Sequence, residues 1–218
     1  MLYSVGKDEG KLKAAATLQL TAKGQPVIYY GEELGLSGAN NYPIQDNRYN
    51  MDFELAKDNA ILAHYEKVLD FREEFSETLS RGSRDDIAGS DAEQFLLVER
   101  THKEDSVYVG LNVSSDEKEV TLAVDSKETV LTDHYSGNVY RADSDQTITI
   151  TLPSLAAGGT ALLTAANGTI IGGGNQEGEE IPEDTLRVHY ERPDNDFTGL
   201  GLWFWGMWKP IGTKRELA

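Results

Sequence analysis

The stretch GQPVIYYGEELG, residues 24–35, decides how the rest of the chain is read. A glycine and a proline open it. Val27, Ile28, Tyr29 and Tyr30 follow without polar interruption, and Gly31, Glu32 and Glu33 close the run. A short continuous apolar run between Gly and Pro signals is the pattern of a strand buried on both faces, as in parallel sheets. Upstream, residues 8–23 read as a helix. Asp8 and Glu9 suit its positive N-terminus, Leu12, Ala15, Ala16 and Leu20 recur at helical spacing, and Gly24 stops it. A helix feeding a buried strand predicts an α/β unit. Downstream, residues 31–53 are rich in Gly, Asn and Asp and have no periodicity, so this long connection is expected to be functional. A second helix is predicted over residues 58–75, with Ile61, Leu62, Tyr65, Val68, Leu69 and the stem of Arg72 forming one face.

After residue 80 the period changes. Residues 95–98, 107–113, 120–124, 129–132, 147–152 and 160–164 are short runs rich in β-branched residues, separated by polar turns such as residues 136–138. They predict an antiparallel all-β module, most simply a sandwich. The run TITITL at 147–152 alternates strictly, which predicts one buried and one wet face. Residues 167–184 hold three consecutive glycines and an acidic run, and read as a flexible linker. Alternation resumes at Leu186, Val188 and Tyr190 and leads into Trp203, Trp205 and Trp208. This second β element is too short to stand as a domain, so it is expected to be completed beyond Ala218.

The 218 residues suffice for one or two domains with a real core. A formal charge of −17, from 37 acidic against 20 basic residues, argues against nucleic acid or an anionic membrane as partner. No cysteine is present, which excludes disulfides and thiolate metal sites. No run is long enough to insert in a bilayer, and the first residues carry no signal-peptide pattern.

Few residues form a chemical constellation. Glu32 and Glu33 are a poor pair for glycoside hydrolysis, because sequence neighbours in extended chain point to opposite sides. Each can still border a site at the end of a barrel strand. His64, His102, His134 and His189 lack metal-ligand spacing and read as satisfied or exposed side chains. Asp143 and Asp145 lack the glycine and downstream glutamate of a calcium loop and read as a solvated turn. Asn112 and Asn167 head sequons, a pattern too common by chance to decide anything.

Residues 24–35, with Asp46-Asn-Arg48 and Met51-Asp-Phe53 after them, closely resemble the last barrel strand and following loop of the α-amylase superfamily. The resemblance implies that the two predicted helices are the seventh and eighth of a (β/α)8 barrel and that a β-sandwich follows. It also implies that the nucleophile, general acid and third acidic residue sit on strands four, five and seven, so none is expected in this chain. The loop departs from the commoner Asp-Pro-x-x-Arg form, with Asn41-Tyr-Pro43 and a later Arg48. Residues 186–197, running into 201–205, resemble the start of the α-glucan-binding module of pullulanases.

The expected organisation is therefore the end of a barrel at 1–80, a β-sandwich at 81–166, a linker at 167–184 and the first part of a glucan-binding module at 185–218. The chain is read as the C-terminal part of a secreted or cell-surface starch, glycogen or pullulan hydrolase of the retaining type, itself inactive. The alternatives are a non-catalytic glucan-binding piece and a structural remnant. Trp203 and Trp205, two apart and so on one face of a strand, are the candidate sugar platform. Trp208 falls off that period and reads as packing. Tyr30, Glu32, Glu33 and Arg48 are the candidate active-site border. No cofactor is predicted, although the resemblance allows calcium in the whole enzyme. The partners expected are α-glucans.

Overall fold

The computed structural model describes residues 1–38, 48 and 50–173, all within one unit, Met1–Glu177. Three helices precede nine strands. Helix α1 (Glu9–Thr21) starts where Asp8 Oδ1 accepts from the Lys11 backbone N–H at 3.0 Å, satisfying one of the donors a helix start leaves open. Its buried residues Leu12, Ala16 and Leu20 lie on one stripe. Helix α2 (Ala60–Glu74) is capped by Asn59, whose Oδ1 accepts from the backbone N–H groups of Ile61 and Leu62. The guanidinium of Arg72 on α2 donates to the carbonyls of Leu20, Ala22 and Gly24, so one side chain satisfies the open end of α1. At Phe75 the chain leaves helical geometry, and α3 (Ser76–Arg81) follows as a separate turn and a half.

The buried face of α2 is rotated from the predicted one. Ile61, His64, Tyr65, Val68 and Phe71 are inside, whereas Leu69 is exposed. Apolarity alone chose Leu62 and Leu69. The structure chose His64 and Phe71 because neighbouring segments meet them there.

The strands are β1 (Ser83–Ser90), β2 (Phe95–His102), β3 (Asp105–Asn112), β4 (Lys118–Val124), β5 (Val130–Asp133), β6 (Val139–Arg141), β7 (Thr147–Leu152), β8 (Thr160–Ala166) and β9 (Ile170–Gly173). They form a six-stranded sheet, β1-β2-β3-β8-β5-β6, and a three-stranded sheet, β7-β4-β9. Every pairing is antiparallel. The predicted antiparallel module is thus present. In β7 the alternation is realised, with Ile148, Ile150 and Leu152 buried and Thr149 exposed.

Two cores share the large sheet. On one side Leu97, Tyr108, Leu131 and Leu163 meet Leu122 and Ile150 of the small sheet. On the other, Val98, Val107, Val109 and Leu162 meet Leu12, Leu20, Tyr65 and Phe71 of the helices. The large sheet is therefore the middle layer, which explains why FLLV in β2 and VYV in β3 are continuous rather than alternating. Each such side chain contributes roughly 1.5–3 kcal/mol by leaving water. Close approaches set two glycines. A Cβ on Gly10 of α1 would lie 2.5 Å from the Leu155 carbonyl oxygen, and one on Gly110 of β3 would lie 2.6 Å from Leu152 Cδ2.

Three expectations are corrected. Residues 25–29 are in no sheet, and Val27, Tyr29 and Tyr30 are exposed. Among the described residues no strand lies beside them, and a lone extended segment has no ladder to join. The predicted strand therefore does not form here, and no described pairing is parallel. Strands β1, β6 and β9 were not legible in the sequence, because β1 is mostly polar, β6 has only three residues and β9 is half glycine. Strand β9 falls inside the expected linker. Ile170 is buried in the inter-sheet core, and Gly173 passes so close to Leu122 that a Cβ would sit 2.6 Å from its Cδ2. Residues 174–184, the remainder of that linker, lie outside the described residues.

Candidate active-site border

The chain after residue 28 tightens into consecutive turns. The N–H of Glu32 donates to the Tyr29 carbonyl at 3.0 Å, that of Gly35 to the Glu32 carbonyl at 3.0 Å, and that of Leu36 to the Gly31 carbonyl at 2.9 Å. Gly31 makes this possible. Its φ is +81°, in the left-handed region, and a Cβ there would fall 2.3 Å from Leu36 Cδ1. Leu34 is buried and anchors the turn, and Asn59 Nδ2 donates to its carbonyl at 3.2 Å.

Glu32 is held by Tyr65, whose Oη donates to its Oε1 at 2.7 Å. Burial, and then the bond to Glu32, pushes the Tyr65 phenol far above its ordinary pKa. Glu33 differs: its Oε2 is buried and has no hydrogen-bond partner. Tyr30 is exposed, its ring 4.7 Å from that of Tyr29 and inclined at 41°. Tyr30, Glu32 and Glu33 thus share one turn that presents an aromatic surface beside two carboxylates. Arg48 is exposed and forms no ion pair with either glutamate among the described residues. Trp203, Trp205 and Trp208 lie outside the described residues.

Elsewhere the polar candidates are structural. Asp143 accepts from the N–H groups of Asp145 and Thr147 and from the Thr147 hydroxyl, which lowers its pKa and closes the turn before β7. Asn112 is fully buried, donating to the Asp116 and Leu152 carbonyls and accepting from Ser114, so its sequon is internal. His64 is buried with both ring nitrogens bonded, and His134 Nε2 meets Thr164 Oγ1 at 3.0 Å. Among the described residues no cluster of His, Asp and Glu is placed to hold a metal, and no helix is long and apolar enough to cross a membrane. Sequence reasoning missed Tyr65 as the partner of Glu32, since nothing local joins residues 33 apart.

Over part of its length the chain is similar to cyclomaltodextrinases, a neopullulanase and α-amylases. A cyclomaltodextrinase of Geobacillus thermopakistaniensis is 28% identical over 154 residues, covering 70% of this chain and 25% of that protein. Neopullulanase 2 of Thermoactinomyces vulgaris is 33% identical over 125 residues, covering 56% of this chain and 20% of that protein. The crystal structure of an Anoxybacillus α-amylase superposes with a TM-score of 0.61 at 25% identity, over 72% of this chain and 32% of that one. Residues 184–216 match the family described as the bacterial pullanase-associated domain. The chain spans a quarter or less of the length of the two curated relatives.

Proposed function

We propose that this chain supplies the C-terminal portion of a (β/α)8 catalytic barrel, the β-sandwich behind it and the first part of a glucan-binding module, within an enzyme that hydrolyses α-glucosidic links of starch, glycogen or pullulan. The observation that carries the reading is the turn at Tyr29–Leu36, set between helices α1 and α2 and followed by two antiparallel sheets, in a chain whose relatives are glycosidases of this class.

In the whole enzyme the chemistry is retaining hydrolysis: one carboxylate attacks the anomeric carbon while a carboxylic acid protonates the leaving oxygen, and water then releases the sugar. Glu32, tied to Tyr65, shapes the rim of the site rather than reacting. Tyr30 offers a ring on which the C–H face of a sugar packs. The acids themselves belong to strands outside the residues of this chain. Trp203 and Trp205 contact glucan without chemistry, and the location is outside the cell or on its surface.

Two measurements on the chain test this. Native electrophoresis in an amylopectin gel is expected to show retarded migration that Trp203→Ala with Trp205→Ala abolishes; equal mobility of the folded wild type with and without amylopectin rejects glucan binding. Incubation with soluble starch is expected to release no reducing sugar above a blank, and clear turnover would overturn the assignment of the acids to other segments.

A further inference from the structure

A line of hydroxyl and imidazole groups crosses from the helices to the six-stranded sheet. Thr17 of α1, His64 of α2 and Thr160 of β8 are buried, the last two elements being joined through Thr17. Thr17 Oγ1 lies 2.8 Å from Thr160 Oγ1 and 3.1 Å from His64 Nε2. At the far end His64 Nδ1 lies 2.8 Å from the hydroxyl of Tyr135, in the turn between β5 and β6.

The direction of every bond in this line follows from one of them. Each hydroxyl has a single proton, and that of Thr160 is committed, donating to the Gly158 carbonyl at 2.9 Å. Thr160 therefore accepts from Thr17. The Thr17 proton is then used, so Thr17 accepts from His64, and Nε2 carries the imidazole proton. Nδ1 is left with a lone pair, to which Tyr135 donates. The neutral Nε2–H tautomer satisfies the whole line.

A proton added at Nδ1 has no place in it. The added N–H would face the Tyr135 O–H, and that hydroxyl would have to turn its own proton away. The charged groups around the ring do not help. Lys13 of α1 and Lys67 of α2 are cationic, and the Lys67 ammonium is held on the Tyr135 carbonyl at 2.8 Å and 4.8 Å from its ring centre. Asp133, behind Tyr135, has its carboxylate occupied by the N–H groups of Tyr135 and Leu162 and the hydroxyl of Ser136.

We propose that Thr17, His64, Tyr135 and Thr160 form a proton-sensitive latch: neutral His64 holds α1 and α2 on the six-stranded sheet, and its protonation releases them. Burial above all, with Lys13 and Lys67 adding to it against the Lys13 carbonyl, lowers the His64 pKa from 6.5 to about 4. The open form therefore takes up a proton at pH values where the closed form does not. The latch is fully effective above pH 6.5 and weakens as pH falls toward about 4.

The full chain labelled with nitrogen-15 tests this. At neutral pH the His64 ring is expected to show a protonated Nε2 and an unprotonated Nδ1; an Nδ1–H tautomer or an imidazolium overturns the proposal. Opening of α1 and α2, read by amide hydrogen exchange corrected for intrinsic rates, is expected to rise about twentyfold between about pH 7 and about pH 5, ahead of β4 and β7. His64→Gln, which keeps a donor to Thr17 but cannot titrate, is expected to remove that rise. Should it fail to fold, Tyr135→Phe decides: it takes a bond from the neutral ring only, so the closed-form pKa moves up toward 6.5 and the rise shrinks. Helices and sheets opening together, or an unmoved pH profile in Tyr135→Phe, overturns the latch.

Discussion

The Tyr65 hydroxyl donates to Glu32 Oε1 at 2.7 Å, joining the middle of α2 to the acidic turn that the sequence singled out. The bond ends on a carboxylate whose side chain is only 10% exposed, so it is both charge-assisted and shielded from water. Removing the donor alone leaves that carboxylate short of a partner. Tyr65→Phe is expected to cost about 1–3 kcal/mol, seen in urea titration as a lower midpoint with an unchanged slope.

Gly10 sits inside α1, where alanine would ordinarily gain about 1 kcal/mol of helix propensity. Here the opposite sign is expected, because the new methyl would lie 2.5 Å from the Leu155 carbonyl oxygen, which is backbone and cannot rotate away. Gly10→Ala should lose about 1–3 kcal/mol through overpacking. A raised melting temperature would contradict the close docking of α1 on residues 155–157.

Alkaline pH should unfold the chain through its buried phenols. Burial, with Glu99 nearby, pushes the pKa of Tyr108 from 10.0 up to about 12, and burial raises Tyr65 and Tyr135 as well. The folded phenol keeps a proton that the unfolded chain gives up near pH 10. This stability is therefore intact below pH 10 and lost as pH rises toward about 12. Each such tyrosine contributes a slope of about 1.4 kcal/mol per pH unit in that window. The unfolding midpoint is expected to fall there, and Tyr108→Phe to flatten the fall; a flat profile in the wild type would show the phenol to be accessible.

Local signals were enough wherever one segment decides its own state. Asp8 is a cap whose side chain bonds a backbone group three residues on, so the start of α1 could be read directly. The alternation in TITITL marks β7 because period two needs only one buried face. Gly31 announces its turn because only glycine tolerates φ +81° with Leu36 that close.

What the sequence by itself determined is this local grammar, along with the acidic charge and the absence of cysteine. The tertiary structure alone decided which apolar face of α2 turns inward, since His64 is buried for Thr17 and Tyr135, which lie 47 and 71 residues away. It alone decided that Ile170–Gly173 is a strand, because β4 supplies the ladder that two glycines cannot announce. It alone decided that residues 25–29 are not one, since pairing is a property of two segments and the described residues put no second strand beside them.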